Sequence, residues 1–396
     1  MLLGGIHYLL PAIEAAHKQG YYVITADYLP DNIAHKHSDE YVNVSIVDKD
    51  AVLSVAREKQ IDGILSFAVD PGVVTAAYVQ EQMGLPTMGP YESVRILQNK
   101  DLFRQFLNDN GFNVPFSKGY GSVEEALRDT DWLTYPIMVK PTDSAGSKGV
   151  TRVNQSEDYE KALHVALSAS ISGNIIVEQF IELHGFQSGS DSFSINGQMA
   201  FTTFDDQLFD PHSINPYTPA AHIWPSSMDR VHQTELATEI QRLVSLLGMK
   251  TTMYNIESRV GKDGKPYIME LSPRAGGNRL AEVIRMATGV DMITAQVRTA
   301  VGDSIEPIEP KPFDGHWAEI VLHSPQDGIF NGIKISDEYA KNVKELELRV
   351  KNGDTVRAFR GANDSIGTLI LKFSDREKLN YALSHQSEWL HIALQQ

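Results

Sequence analysis

In "YIMELSPRAGGNRL" (267–280) an apolar run ends in Glu270, and Ser272, Arg274 and Asn278 follow at once. A carboxylate, a hydroxyl and a guanidinium so close together suit a bound anion and its cation better than the closing of a core. The preceding stretch, "TTMYNIESRVGKDGKPYIMELS", has strand-forming runs on both sides of Asp263-Gly264, the strongest short signal for a two-residue hairpin turn. Such a turn pairs 262 with 265 and 261 with 266, and counting outward sets Glu257 opposite Glu270. Alternation then puts Asn255, Glu257, Glu270 and Ser272 on one face. Like charges directly opposed lie about 5 Å apart and destabilise a sheet. A divalent cation between them resolves the clash, and carboxylate oxygens suit Mg²⁺. Two plainer arrangements stay open: one glutamate solvated at an edge, or a bulge that shifts the register.

Arg274 is a rigid fork of donors matched to phosphate or carboxylate oxygens. The "AGGN" beyond it lets backbone approach a ligand closely and opens a helix whose N-terminus favours anions. A surface salt bridge and a plain turn would use the same residues. If phosphate is the anion, further donors are expected elsewhere. "YPIMVKPTDSAGSKGV" ends a strand at Lys140 and continues into Thr142, Ser144, Gly146, Ser147, Lys148 and Gly149. Small residues of this kind can present backbone N–H groups as an anion nest. The G-x-x-x-x-G-K-[ST] order of a Walker loop is absent, and a solvated loop is an equal alternative. "NIIVEQFIE" ends an apolar strand in Glu178. It offers an apolar slot, a backbone edge and an acceptor, the needs of a purine ring, or simply a strand with a charged tip.

These segments need elements to hold them. Residues 1–92 alternate short strands ("YYVITADY", "DGILSFA") with helical stretches ("LLPAIEAAHKQG", "DAVLSVAREKQ"), the pattern of a parallel sheet covered by helices. Ligands of such sheets sit beyond the carboxyl ends of the strands, here near Gly4-Gly5, Asp27 and Ser66–Asp70. The glycine pair does not make a G-x-G-x-x-G fingerprint. "SVRILQNKDLFRQFLNDNG" predicts one helix stopped by Gly111. Residues from about 115 to 177 predict a small α+β unit. A loop rich in Pro, His and Asn is expected over 209–227, then a helix over about 229–247, the hairpin over 251–272 and a helix from near 277. "EPIEPKPFDG" (306–315) reads as a linker to a β-rich C-terminal part. Met1-Leu2-Leu3 is short for a strand in a parallel sheet, which leaves open a native start elsewhere.

The bulk properties narrow the function. Asp plus Glu number 51 against 35 Lys plus Arg, a net charge of -16. That argues against nucleic acid or an anionic membrane as partner, since both need basic surface. There is no cysteine, so thiolate nucleophiles and thiolate metal sites are excluded. The apolar runs are strand-sized rather than membrane-spanning, and the N-terminus lacks the basic region and cleavage site of a signal peptide. A cytoplasmic location is the expectation.

In order, Lys100, Lys140 with its Gly/Ser loop, Glu178 and the Glu257/Glu270-Ser272-Arg274 hairpin resemble the ATP-grasp superfamily of carboxylate–amine ligases. The resemblance extends over nearly the whole chain. It implies α/β and α+β architecture: an N-terminal parallel-sheet α/β domain (1–92), a two-lobed ATP-grasp domain (93–305, lid lobe about 115–177) and a β-rich C-terminal domain (306–396). It also implies ATP and Mg²⁺ (or Mn²⁺) as cofactors. Lys100 and Lys140 would contact phosphates, and Thr142–Gly149 would close over them with Ser147 and Lys148 near the γ-phosphate. Glu178 and the backbone through Ile181 would hold adenine, and Glu182 or Gln187 the ribose. Relatives often carry Glu near the position of Gln187. Glu257 and Glu270 would hold the metal, with Ser272 where many relatives have Asn. Arg274 would stabilise an acyl phosphate and the tetrahedral species formed on its attack.

The implied reaction activates a substrate carboxylate as an acyl phosphate and joins it to an amine, releasing ADP and phosphate. The alternatives are a bicarbonate-activating carboxylase and an ATP-binding protein without turnover. Partners are then small carboxylates and amines, with a homodimer as one option for assembly. The acceptor pocket is expected to draw on 204–225 and on Arg349 and Arg360. His212 and His222 could bind substrate there, but a histidine in a polar loop is more often merely solvated, and Arg349 and Arg360 are likewise more often surface charges.

Overall fold

The computed structural model describes residues 1–144 and 146–395. The chain gathers into two compact units. The first comprises Met1–Ser117, Ser190–Thr203 and Asp229–Lys311, the second Lys118–Gly189, Phe204–Met228 and the chain from Pro312 onward.

The first unit begins with a parallel sheet in which Ile24–Asp27 lies between Leu2–Leu3 and Glu40–Asn43. Helix Leu10–Lys18 starts on a proline and helix Lys49–Glu58 on Asp48, whose side chain accepts from the Ala51 N–H. The strand expected at 62–68 makes only a single bridge, Leu65 to Leu2. Ser66 Oγ donates to the Val69 carbonyl at 2.5 Å and Ala68 adopts φ 54°. The chain therefore turns there into helix Asp70–Met83, an element the sequence analysis leaves unassigned. The long helix expected over 93–111 is two, Tyr91–Gln98 and Lys100–Asp109. Asn99 breaks it: its backbone is extended, and its side chain accepts from the N–H groups of Asp101 and Leu102. Capping satisfies orphan donors that a helix interior would not leave free.

Thr252–Val260 and Pro266–Ser272 form the expected hairpin inside a sheet continued by Ser188–Ile195 and Gln198–Phe201. The turn differs from expectation. Gly261 N–H donates to Lys265 O and Gly264 N–H to Gly261 O, with Gly264 at φ 75°, a three-residue loop. Val260 thus pairs with Pro266 and Ser258 with Ile268. Met269 is then one residue too many, a bulge, beyond which Glu257 opposes Glu270 and Asn255 opposes Ser272. The longer loop and the bulge cancel. Buried Arg104 donates to the Met269 carbonyl at 2.8 Å, satisfying a group the ladder leaves unpaired.

The second unit holds three sheets. In the first, Ser117–Tyr120, Ile175–Gln179, Ile137–Pro141 and Thr151–Val153 lie in that order, and helix Tyr159–Ala169 buries Ala162, Leu163 and Ala166 with Ile137, Val139 and Val177. The second is antiparallel, running Asp206–Phe209, Pro219–Trp224, His316–Leu322, Gly367–Phe373 and Val343–Leu348. The third is Thr355–Val356, Gly328–Ile335 and Leu390–Gln395. The loop expected over 209–227 thus contains a strand. Only its Pro/His/Asn-rich part is irregular, and "PAAHIW" pairs on both sides.

Candidate functional site

In the first unit the opposed carboxylates Glu257 and Glu270 are both half-buried. Lys100 Nζ stands 3.5 Å from Glu270 Oε2. The helix break at Asn99 makes Lys100 the first residue of its helix, and this brings a cation to the carboxylates. Among the described residues no group of three His, Cys, Asp or Glu could hold a metal ion. Two carboxylates alone suit Mg²⁺, which keeps several waters and takes phosphate oxygens as further ligands.

Arg274 is 9% exposed and lies against Asp70, the first residue of helix Asp70–Met83. Nε donates to Oδ1 and Nη2 to Oδ2, each at 2.7 Å, while Nη1 donates to the Ala275 carbonyl at 2.7 Å. Burial works to lower the guanidinium pKa, but the carboxylates of Asp70, Glu270 and Asp191 outweigh it and hold it above its usual value. Ser272 Oγ donates to Asp70 Oδ1 at 2.9 Å and accepts from Gln98 Nε2 at 2.7 Å. One lone pair of that hydroxyl is left for a cation.

The glycine turn is fixed by Asp191, which is fully buried. Its Oδ1 accepts from Gly276 N–H at 2.8 Å and from Asn255 Nδ2 at 3.0 Å. A Cβ on Gly276 would fall 2.6–2.8 Å from Leu280, Asn255 and Asp191, so close approach demands glycine there. Asn278 and Arg279 follow at φ 54° and 66°, and Asn278 Oδ1 accepts from Tyr8 OH at 2.9 Å. Consecutive left-handed residues without a glycine are costly and tend to mark functional turns.

In the second unit Met138 pairs with Glu178 and Lys140 with Ile176, so Lys140 and Glu178 are diagonal neighbours on one sheet face. Lys140 Nζ contacts Glu178 Oε2 at 2.5 Å, with Glu178 only 1% exposed. Glu178, expected to hold a base, is thus engaged by the lysine expected to hold a phosphate. Thr142 is buried and Lys148 exposed. Ser147, at φ 57°, donates through Oγ to the Tyr217 carbonyl at 2.9 Å, and Asn215 Nδ2 donates to the carbonyls of Ser147 and Arg360. Ala145 of the same loop lies outside the described residues. Asp143 gathers Ser170 Oγ, Ile171 N–H and Ser172 N–H. Burial works to raise its pKa, but these donors outweigh it and hold the carboxyl below its usual range.

Ile181 is half-buried and Glu182 exposed, whereas Gln187 is buried and donates to Gln207 Oε1 at 2.7 Å. His222 is not solvated: it is 2% exposed, and Nδ1 meets Asp205 Oδ2 at 2.5 Å. Asp206 is likewise buried and meets Arg376. His212 and Arg360 are exposed, and Arg349 is half-buried on Ser365.

Sequence reasoning missed Gln98 and Asp191, and reached Asp70, Asp205 and Gln207 only as members of the segments Ser66–Asp70 and 204–225, without their partners. Their signals were faint: Asp70 begins a helix at the strand-end region flagged for ligands, and Asp191 is one acid within "QSGSDSF".

Residues 133–282 match the family model of the ATP-grasp domain. The chain is 21% identical over 301 residues to the carbamoyl phosphate synthase large chain of Ralstonia nicotianae, covering 74% of this chain and 27% of that one. It thus spans about a quarter of that relative's length. Among solved structures it is similar to an L-amino acid ligase from Bacillus licheniformis, with TM-score 0.81, 21% identity and coverage of 100% and 98% of the two chains. It is also similar to a phosphoribosylglycinamide synthetase from Anaerococcus prevotii, with TM-score 0.77, 19% identity and the same coverage. These likenesses show the fold, which is the ATP-grasp architecture expected from the sequence. Among the described residues no helix is long and apolar enough to cross a membrane.

Proposed function

We propose that this chain, with an ATP-grasp domain in residues 133–282, is an ATP-dependent ligase that joins a carboxylate to an amine. The observation that carries the reading is the first unit's cluster: two opposed carboxylates, Lys100 on Glu270, and Arg274 held by Asp70. Cations and paired acids on one strand end suit a magnesium-bound triphosphate, where positioning and charge neutralisation do most of the work.

In this reading Glu257 and Glu270 hold the ion, with the remaining lone pair of Ser272. Bound there, Mg²⁺ (or Mn²⁺) neutralises phosphate charge. Lys100 and Lys140 bind phosphate oxygens of ATP, and Ser147 and Lys148 belong to the loop that covers them. Glu178 and the backbone near Ile181 receive the base, which requires Lys140 to trade Glu178 for phosphate. Glu182 or Gln187 reaches the ribose. An oxygen of the substrate carboxylate attacks the γ-phosphorus and the bond to ADP breaks, giving an acyl phosphate. The amine nitrogen then attacks the acyl carbon, the carbon–oxygen bond to phosphate breaks, and the amine's proton passes to solvent. Arg274 meets the negative charge of both steps. The segment 115–177 acts as a lid that keeps water from the acyl phosphate.

The test is ADP release with MgATP and a matrix of carboxylates and amines, each compound also tested alone. ADP that needs both partners supports the ligase. ADP that needs only bicarbonate supports a carboxylase, and none with any mixture supports an ATP-binding protein without turnover.

A further inference from the structure

A guanidinium has five N–H donors in one plane. In Arg274, Asp70 takes one from Nε and one from Nη2, and Ala275 takes one from Nη1. Among the described residues this leaves one donor on Nη1 and one on Nη2 for a ligand. We propose that Asp70 is a positioning residue: by gripping one edge of Arg274 with both oxygens, it fixes the direction in which the remaining N–H pair meets the phosphoryl group. The inference rests on the reading of Arg274 as the anion-binding fork.

Asp70 is itself immobilised. It opens a helix, where the dipole favours a carboxylate, and Pro71 behind it fixes the backbone. Its Oδ1 also accepts from Ser272, which Gln98 holds in turn. The chain Gln98–Ser272–Asp70–Arg274 therefore ties the guanidinium to the strand that carries Glu270. A partner needed only to neutralise Arg274 could do so through one oxygen. The two-oxygen grip removes rotation about the last side-chain bond, and direction is what a fork needs to match an anion. Charge is given up in exchange, since Asp70 weakens the pull of Arg274 on any anion at long range.

Orthovanadate with MgADP is the probe, because it stands in for the transferring phosphoryl group and needs no identified substrate. Orthovanadate is titrated calorimetrically into the full chain saturated with MgADP, for wild type, Asp70→Asn, Asp70→Glu, Arg274→Ala and the double variant D70N/R274A. Asp70→Asn is expected to weaken orthovanadate about tenfold or more, with MgADP affinity within about threefold. The double variant should be no weaker than Arg274→Ala alone, because one residue acts through the other. Asp70→Glu keeps the charge but displaces it by a methylene, should lose about threefold, and carries the test if Asp70→Asn does not fold. Unchanged orthovanadate affinity in a folded Asp70 variant, or fully additive losses in the double, overturns the proposal. If Arg274→Ala binds orthovanadate as wild type does, or wild type binds none, the reading of Arg274 fails and the inference falls with it.

Discussion

Two buried ion pairs, Asp70–Arg274 in the first unit and Lys140–Glu178 in the second, differ in geometry more than in charge. The first is a fork gripped through two oxygens, its carboxylate 19% exposed at a helix start and also accepting from Ser272. The second joins a flexible ammonium to a carboxylate 1% exposed. A fork fixes direction. A point charge on a long stem can be handed to another anion without moving the sheet beneath it. In the proposed reaction the first pair would aim a cation and the second would hold one in reserve.

The largest effect should separate the pairs in stability. Lys140→Ala takes the cation from a deeply buried carboxylate and should cost about 3–5 kcal/mol in urea unfolding. Arg274→Ala leaves Asp70 partly hydrated with Ser272 still donating, and should cost about 1–2 kcal/mol while abolishing the proposed ligation. Equal losses would erase the distinction. Next, Glu257→Gln relieves the opposed carboxylates. Without Mg²⁺ it should raise stability by up to about 1 kcal/mol, seen as a higher melting temperature, and the gain should vanish as Mg²⁺ is titrated into wild type. A drop instead would mean that the like charges are already compensated in the protein. The smallest effect concerns Asp143, three residues after Lys140 in the chain. Its folded pKa is depressed, so its contribution is present above the ordinary carboxylate range and lost as pH falls through the depressed value. Asp143→Asn should be less stable by under about 1 kcal/mol at pH 7, with the gap closing as pH falls below the ordinary carboxylate range. A gap that widens in acid would reverse the sign assigned here.

Much of the first unit's cluster was legible because it is local. Asp263-Gly264 announces a hairpin, and counting from a two-residue turn set Glu257 opposite Glu270, a pairing that holds because the three-residue loop and the bulge offset each other. The pair Lys140–Glu178 was visible as two strand ends but not as a pair, because which strands neighbour each other is decided by the sheet. Asp70 was invisible as a partner. It lies 202 residues from Ser272 and 204 from Arg274 in the chain, and no short-range rule links them. His222 was misread because a histidine among prolines and asparagines looks solvated, whereas strand pairing on both sides and Asp205 bury it. Asn99 was misread because apolar spacing runs straight through it. Only the competition between its side chain and the helix backbone interrupts the helix.

The bulge at Met269 means that the identity of the opposed acids is a matter of counting. A ladder without it would continue from Ser258–Ile268 to set Met269, not Glu270, across from Glu257. The bulge, rather than the loop, therefore fixes which side chain stands opposite Glu257, and Arg104 satisfies the carbonyl that the bulge takes out of the ladder. A count carried outward from the loop that ignores the bulge sets an apolar side chain opposite Glu257, although every pair nearer the loop is correct.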